Sequence, residues 1–191
     1  MTRNHKENHD RPHRHHYDAE MLSVEEARER ILSYFSELSV EATPLLGSLG
    51  QVLGERVVAP FHVPQLTNSA MDGYAVFSSD TKGSTKNTPR VLQVTGVVAA
   101  GQIADQPLKP GTAIRIMTGA PVPENADAVV AFEDTDELER GETVKSDDTV
   151  AIHIAAEPND NIRQAGEDIR QGDNVFKAGH ILGAGEVGVI A

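Results

Sequence analysis

Four residues in three separated loops could do chemistry together: Asp72, Thr118, Arg163 and Asp168. Carboxylates can hold a hard divalent cation such as Mg²⁺, directly or through water. An arginine is permanently charged and offers a fork of donors to an oxyanion. A threonine hydroxyl adds a neutral hydrogen-bonding group. The set suits phosphate-ester or oxyanion chemistry, in which fixed charge offsets the charge that develops during reaction. No Walker A run, Gly-x-Gly-x-x-Gly run or serine nucleophile elbow occurs, so dinucleotide binding and covalent acyl transfer have no support.

Each candidate needs an element to hold it. Asp72 lies in Asn68-Ser69-Ala70-Met71-Asp72-Gly73-Tyr74-Ala75-Val76, where the apolar run Tyr74–Phe77 reads as a strand. Asp-Gly ahead of such a run signals a turn, since glycine accepts positive φ and aspartate tolerates it. Asp72 is therefore expected where a loop meets a sheet, although such a dipeptide is ordinarily a turn and nothing more. Thr118 ends the run Thr112–Met117 and enters a loop stiffened by Pro121 and Pro123, with Gly119 leaving room for a ligand near the backbone. An ordinary strand-to-turn junction would look the same. In Asn161-Ile162-Arg163-Gln164-Ala165-Gly166-Glu167-Asp168 an arginine precedes two adjacent carboxylates by four and five positions. The plain alternative there is an exposed acidic loop with a weak ion pair. Glu133-Asp134 reads as an exposed acidic turn.

The rest of the chain supplies the scaffold. Its 191 residues allow one or two small domains, and 39% apolar content suffices for a core. With 29 acidic against 17 basic residues the net charge is −12, which opposes a general nucleic-acid binder or an anionic membrane surface. Cysteine is absent, which excludes disulfides and thiolate metal sites. No apolar run has the length of a membrane span and no signal peptide is visible, so a cytoplasmic protein is expected. Residues 1–19 carry five histidines and almost nothing apolar, and read as a disordered tail.

Ser23-Val24-Glu25-Glu26 is a capping-box pattern opening a helix expected over 24–38, its apolar stripe formed by Val24, Ala27, Ile31, Tyr34, Phe35 and Leu38. Thr43–Leu46 looks extended, Ser48–Leu53 could form a helical turn or two, and Glu55–Ala59 reads as a strand. Short strands follow at Val91–Val98, Thr112–Met117, Ala126–Phe132, Thr143–Lys145 and Val150–Ile154, with 79–90 a polar, mobile loop ahead of them. Val175-Phe176 and a helix starting near Gly185 close the chain. That helix is reached with no cap or polar tail after it, so a longer natural chain is expected. The fold class is α+β. The short strands with Gly/Pro turns argue for a small all-β barrel or sandwich.

Four motifs in order carry a resemblance: Ser69–Val76, Arg115-Ile-Met-Thr-Gly-Ala-Pro-Val-Pro123, Ala128-Val-Val130 with Glu133-Asp134-Thr135, and Asn161-Ile-Arg163 with Gly166-Glu-Asp168. Over about residues 20–191 the chain resembles the N-terminal part of the molybdopterin molybdenumtransferase family, MoeA in bacteria and gephyrin in animals. The resemblance implies an enzyme of molybdenum cofactor biosynthesis that inserts molybdate into adenylylated molybdopterin and releases AMP, assisted by Mg²⁺. It implies a homodimer, with the molybdopterin adenylyltransferase as a candidate partner, and a helix-containing, discontinuous mixed domain (20–62 plus 151–191) into which a small all-β barrel or sandwich-like domain (63–150) is inserted. By carry-over, Asp72, Thr118 and Asp168 match active-site positions, Ser69 and Arg163 lie toward substrate, and Asp72 and Asp168 are the candidate metal ligands. Gln164 departs from the family, which often has a second basic residue there.

The family's pterin-binding and C-terminal domains would lie beyond residue 191. Its active site forms between the first domains of one subunit and the pterin-binding domain of the other, so this chain is expected to supply one wall and to be inactive alone. Two other classes fit the residues: a non-catalytic module for dimerisation or protein contact, and a small Mg²⁺-dependent phosphohydrolase.

Overall fold

The computed structural model describes residues 22–141 and 148–191, which form two compact units, one ending at Ala42 and the other running from Thr43 to Ala191. The tail 1–19 and the expected strand Thr143–Lys145 fall outside the described residues. In chain order the elements are α1 (Val24–Leu32), β1 (Val57–Val58), β2 (Asn68–Ser69), β3 (Gly73–Val76), β4 (Arg90–Val98), β5 (Thr112–Ile116) and β6 (Ala128–Ala131). They continue with α2 (Glu137–Arg140), β7 (Thr149–Ile152), β8 (Ile162–Arg163), β9 (Asn174–Phe176) and α3 (Ala184–Ile190).

In the first unit, α1 opens with the expected capping box. The Glu26 N–H donates to Ser23 Oγ at 3.1 Å and the Ser23 N–H to Glu26 Oε2 at 2.8 Å. The helix ends at Leu32, six residues short of the expected 38. Ser33 Oγ donates to the Arg30 carbonyl at 2.7 Å, and the Tyr34 and Phe35 N–H groups reach back three residues instead of four. The turn tightens and the chain leaves the helix. None of the helix residues is buried, and Val24, Ile31, Tyr34 and Phe35 are largely exposed. Nine residues with no covered face make a marginal helix in water.

The second unit is built on one five-stranded sheet of order β6-β3-β5-β4-β7. β3 is antiparallel to β5 and β6, β4 is parallel to β5, and β7 is antiparallel to β4. The sheet curls into a half-barrel. Just after β6, residues 134–136 bond to the free side of β7, through His153 N–H to the Asp134 carbonyl and Asp136 N–H to the Ala151 carbonyl. The barrel expectation thus comes nearer than the sandwich. Every residue of β3 and β6 is buried. Alternate side chains go to opposite faces. Tyr74, Val76, Val94, Val130 and Ile152 fill one side, while Ala75, Val98, Leu108, Ile116 and Val129 fill the other. Covered on both faces, these strands read as unbroken apolar runs rather than alternating ones.

The segments on either side of the sheet pair with each other. β1 is antiparallel to β9, and β2 to β8. Two local expectations fail here. The helical turn lies at Leu45–Gly47, where extended chain was expected, and no helix forms over 48–53, because the Gln51 and Leu53 backbone is bonded across to His180 and Leu182. The segment 79–90 is pinned instead of loose. Thr81 is fully buried, with its hydroxyl accepting from the Ala156 N–H at 2.8 Å, and Ser84 Oγ donates to the Ile152 carbonyl. No helix among the described residues is long and apolar enough to cross a membrane.

Candidate active site

β2 is only two residues long, but it is where the candidate loops meet. On one side the Ser69 N–H donates to the Ala120 carbonyl and the Gly119 N–H to the Ser69 carbonyl. On the other, Asn68 stands opposite Arg163 and Ser69 opposite Ile162, and the Ala70 N–H donates to the Asn161 carbonyl. Sequence-distant segments 119–122 and 161–163 therefore flank one short strand, and Asp72 leaves it three residues later.

Asp72 and Thr118 come together. Asp72 Oδ1 accepts from both the backbone N–H and the hydroxyl of Thr118, each at 2.7 Å. The backbone bond, then the hydroxyl bond, holds the Asp72 carboxyl below the usual aspartate range, with a smaller contribution from the Arg115 charge. The Asp72 carbonyl also accepts from Phe132 N–H at 3.0 Å, so the residue is fixed from both sides.

Gly73 has a different reason from the one its sequence context suggests. Its φ is not positive. It begins β3 opposite Ala131, and a Cβ there would lie 2.0 Å from the Val130 carbonyl oxygen. Only glycine lets β3 approach β6 this closely, and that approach places Asp72.

Arg163 and Asp168 form the second pair. Arg163 Nη2 donates to both Asp168 oxygens at 2.7 Å, and Glu167 lies farther off at 3.7 Å from Nε. The bond to Asp168 raises the Arg163 pKa further, which keeps it charged. Both side chains are well exposed, so the pair adds little to stability. The loop carrying Asp168 is held by the Gly166 N–H to the Pro64 carbonyl and the Asp168 N–H to the Val63 carbonyl. Gly166 has φ 73°, and a Cβ on it would sit 2.7 Å from His62 Nδ1. Gln164 is engaged inside the same loop, its amide donating to Asn159 Oδ1 at 3.1 Å.

Ser69 is almost fully buried, and its hydroxyl donates to the Met71 carbonyl at 2.5 Å, shaping the turn before Asp72. Glu133 is exposed beyond β6 in a 3-10 turn over Phe132–Asp134. Among the described residues, no three His, Asp or Glu side chains gather in a way that could cage a metal.

One group of polar side chains escaped the sequence reading. Arg115 sits in apolar β5 with its guanidinium buried, 2.9 Å from Glu137 Oε2 through Nε. Tyr74 donates its hydroxyl to the same Glu137 oxygen at 2.6 Å, and burial followed by that carboxylate pushes the phenol pKa far up. The guanidinium packs over the Tyr74 and Phe132 rings, 5.3 and 5.6 Å from their centroids. Its Nη1 donates to the carbonyls of Gly73 (3.2 Å) and Ile116 (2.9 Å). A charged residue inside an otherwise apolar strand was the available signal, but its partner 22 positions away was not visible.

Residues 22–191 match the family model described as the MoeA N-terminal region, domains I and II. The chain is 40% identical over 171 residues to a molybdopterin molybdenumtransferase 2 of Mycobacterium tuberculosis, covering 90% of this chain and 40% of that protein. It is 35% identical over 170 residues to a molybdopterin molybdenumtransferase of Staphylococcus aureus, covering 89% and 39% respectively. The crystal structure of a molybdopterin biosynthesis moeA protein from Pyrococcus horikoshii OT3 superposes with a TM-score of 0.76 at 30% identity, over 90% of this chain and 43% of that one. The chain spans about 40% of the length of the curated relatives it matches. By family model, sequence and fold, it belongs to the molybdopterin molybdenumtransferase (MoeA) family and corresponds to the N-terminal region.

Proposed function

We propose that this chain forms one wall of an active site that inserts molybdate into adenylylated molybdopterin and releases AMP. The observation that carries the reading is the Asp72–Thr118 pair, an ionised carboxylate held rigidly at the junction of sheet and loop. The flanking position of the Arg163–Asp168 loop across β2 supports it. Thr118 fixes Asp72 Oδ1 and leaves the other oxygen to face substrate or water. Arg163 is the cation for a phosphate or molybdate oxygen, and an anionic ligand competes with Asp168 for it. Ser69 serves by shaping the turn.

Asp72 and Asp168 would hold a magnesium ion only if substrate supplied further oxygens. Among the described residues no three carboxylates gather, which argues against a resident ion held by Asp72 and Asp168 alone. An ion on substrate phosphates needs only one or two protein carboxylates, and Asp72, then Asp168, would supply them. Bound there, the ion would offset negative charge on the phosphate oxygens.

The division into an inserted 63–150 domain and a discontinuous domain built from 20–62 and 151–191 belongs to the same reading, as does a cytoplasmic setting. The discontinuous domain is supported by the pairing of β1 with β9, which joins its two segments. A homodimer is part of the reading too, supported by the uncovered apolar residues of α1 and by exposed Leu46, Leu49 and Ile181. The opposite wall would come from the remaining length that the relatives have, so these 191 residues alone are inactive.

The test is Asp72→Asn and Asp168→Asn in a protein that joins this region to the rest of the family's length. Loss of AMP release with the dimer intact supports the transferase. Unchanged turnover in both variants overturns it, and loss of the dimer without a catalytic effect favours the interaction module.

A further inference from the structure

Arg115 is an unexpected residue to bury. An apolar side chain would fill the same place in β5 without the cost of desolvating a charge, and ion pairs of this kind are often no more stabilising than apolar replacements. The guanidinium's contacts suggest another use. Nη1 bonds at once to the carbonyls of Gly73 and Ile116, which stand opposite each other in the β3–β5 register. Gly73 directly follows Asp72, and Ile116 precedes Thr118 by two residues. One cation therefore clamps the two strands at the point where each releases a member of the Asp72–Thr118 pair.

Glu137 aims that cation. Its Oε1 accepts from Arg115 Nη2 at 3.1 Å and its Oε2 from Tyr74 at 2.6 Å. Its own N–H donates to Thr135 Oγ1 at 3.2 Å, and Thr135 in turn donates to the Phe132 carbonyl at 2.7 Å. The carboxylate is thus held from two strands, β5 and β3, its backbone is held by Thr135, and no buried side-chain polar atom among the described residues lacks a partner. The Asp72 carboxylate already feels the Arg115 charge, so a guanidinium released from Glu137 could be drawn toward it.

We propose that Glu137 is a positioning residue for the Asp72–Thr118 pair and acts through Arg115. This rests on the functional reading above only in taking the pair as part of the active site. Glu137 touches no substrate. It fixes Arg115 on the two carbonyls and keeps the guanidinium from competing with Thr118 for Asp72.

The Thr118 amide proton reports the pair directly, because it is bonded to an ionised carboxylate. In ¹⁵N-labelled 191-residue chain, the Thr118 amide signal should follow Asp72 as pH falls. In Glu137→Gln we expect that signal to move and its titration midpoint to change, while amides of the β4–β7 side stay in place. In the family-length protein kcat should fall about tenfold to a hundredfold with KM little changed. Should Glu137→Gln fail to fold, Arg115→Met with Glu137→Leu removes both buried charges together. We expect that variant to fold but to lose the wild-type Thr118 titration and the same share of kcat. An unchanged Thr118 titration in whichever variant folds overturns the proposal. An altered titration with turnover unaffected even by Asp72→Asn upholds the positioning role and overturns the functional reading instead.

Discussion

Asp72 and Thr118, 46 positions apart, meet on a single oxygen: Asp72 Oδ1 accepts both the amide and the hydroxyl of Thr118 at 2.7 Å. The two bonds stabilise the ionised carboxylate. Its folded pKa is lowered, so its contribution to stability is complete above the ordinary aspartate range and is lost as pH falls through the lowered value. Acid titration followed at the Thr118 amide should therefore show a midpoint below that of an exposed aspartate, and Asp72→Asn should abolish the transition.

Thr118→Val removes the hydroxyl and keeps the shape and the amide bond. We expect a loss of about 1 kcal/mol in urea unfolding. We also expect the Asp72 midpoint to move up toward the ordinary range, with the direction set by the lost donor. A Val variant with an unmoved midpoint would show that the backbone bond alone sets the carboxylate.

Gly73→Ala places a methyl where the Val130 carbonyl oxygen would be 2.0 Å away. Backbone, not a flexible side chain, must give way. The expected loss is about 3 kcal/mol or more, read by chemical denaturation, with β3–β6 amides losing protection first.

Asp168→Asn separates structure from chemistry. The Arg163–Asp168 pair is well exposed, so unfolding should change by less than about 1 kcal/mol. AMP release by the family-length protein should nonetheless fall strongly. Comparing the unfolding midpoint with kcat on the same preparation checks both halves.

Local features were legible in the sequence where local physics decides them. Ser23 and Glu26 cap α1 as their spacing requires, and the apolar runs at Tyr74 and Val129 became buried strands. The end of α1 was not legible, since Ser33 turns its hydroxyl onto the Arg30 carbonyl where the apolar stripe continues. Asp72, Thr118, Arg163 and Asp168 could each be picked out. The structure pairs the first two and the last two, and no periodicity could reveal those partners. Gly73 reads as a turn glycine, but its need comes from β6, where it stands opposite Ala131, 58 residues downstream, against the Val130 carbonyl. The Arg115–Glu137 pair was hidden for the same reason, since burial of both charges depends on α2 folding back beside β5.

The most direct test of the account measures AMP release from adenylylated molybdopterin on adding molybdate, with the 191-residue chain alone and with the same region joined to the rest of the family's length. Turnover is expected only from the longer protein, with Asp72→Asn eliminating it there. Turnover by the 191 residues alone would contradict the claim that they form one wall of the site.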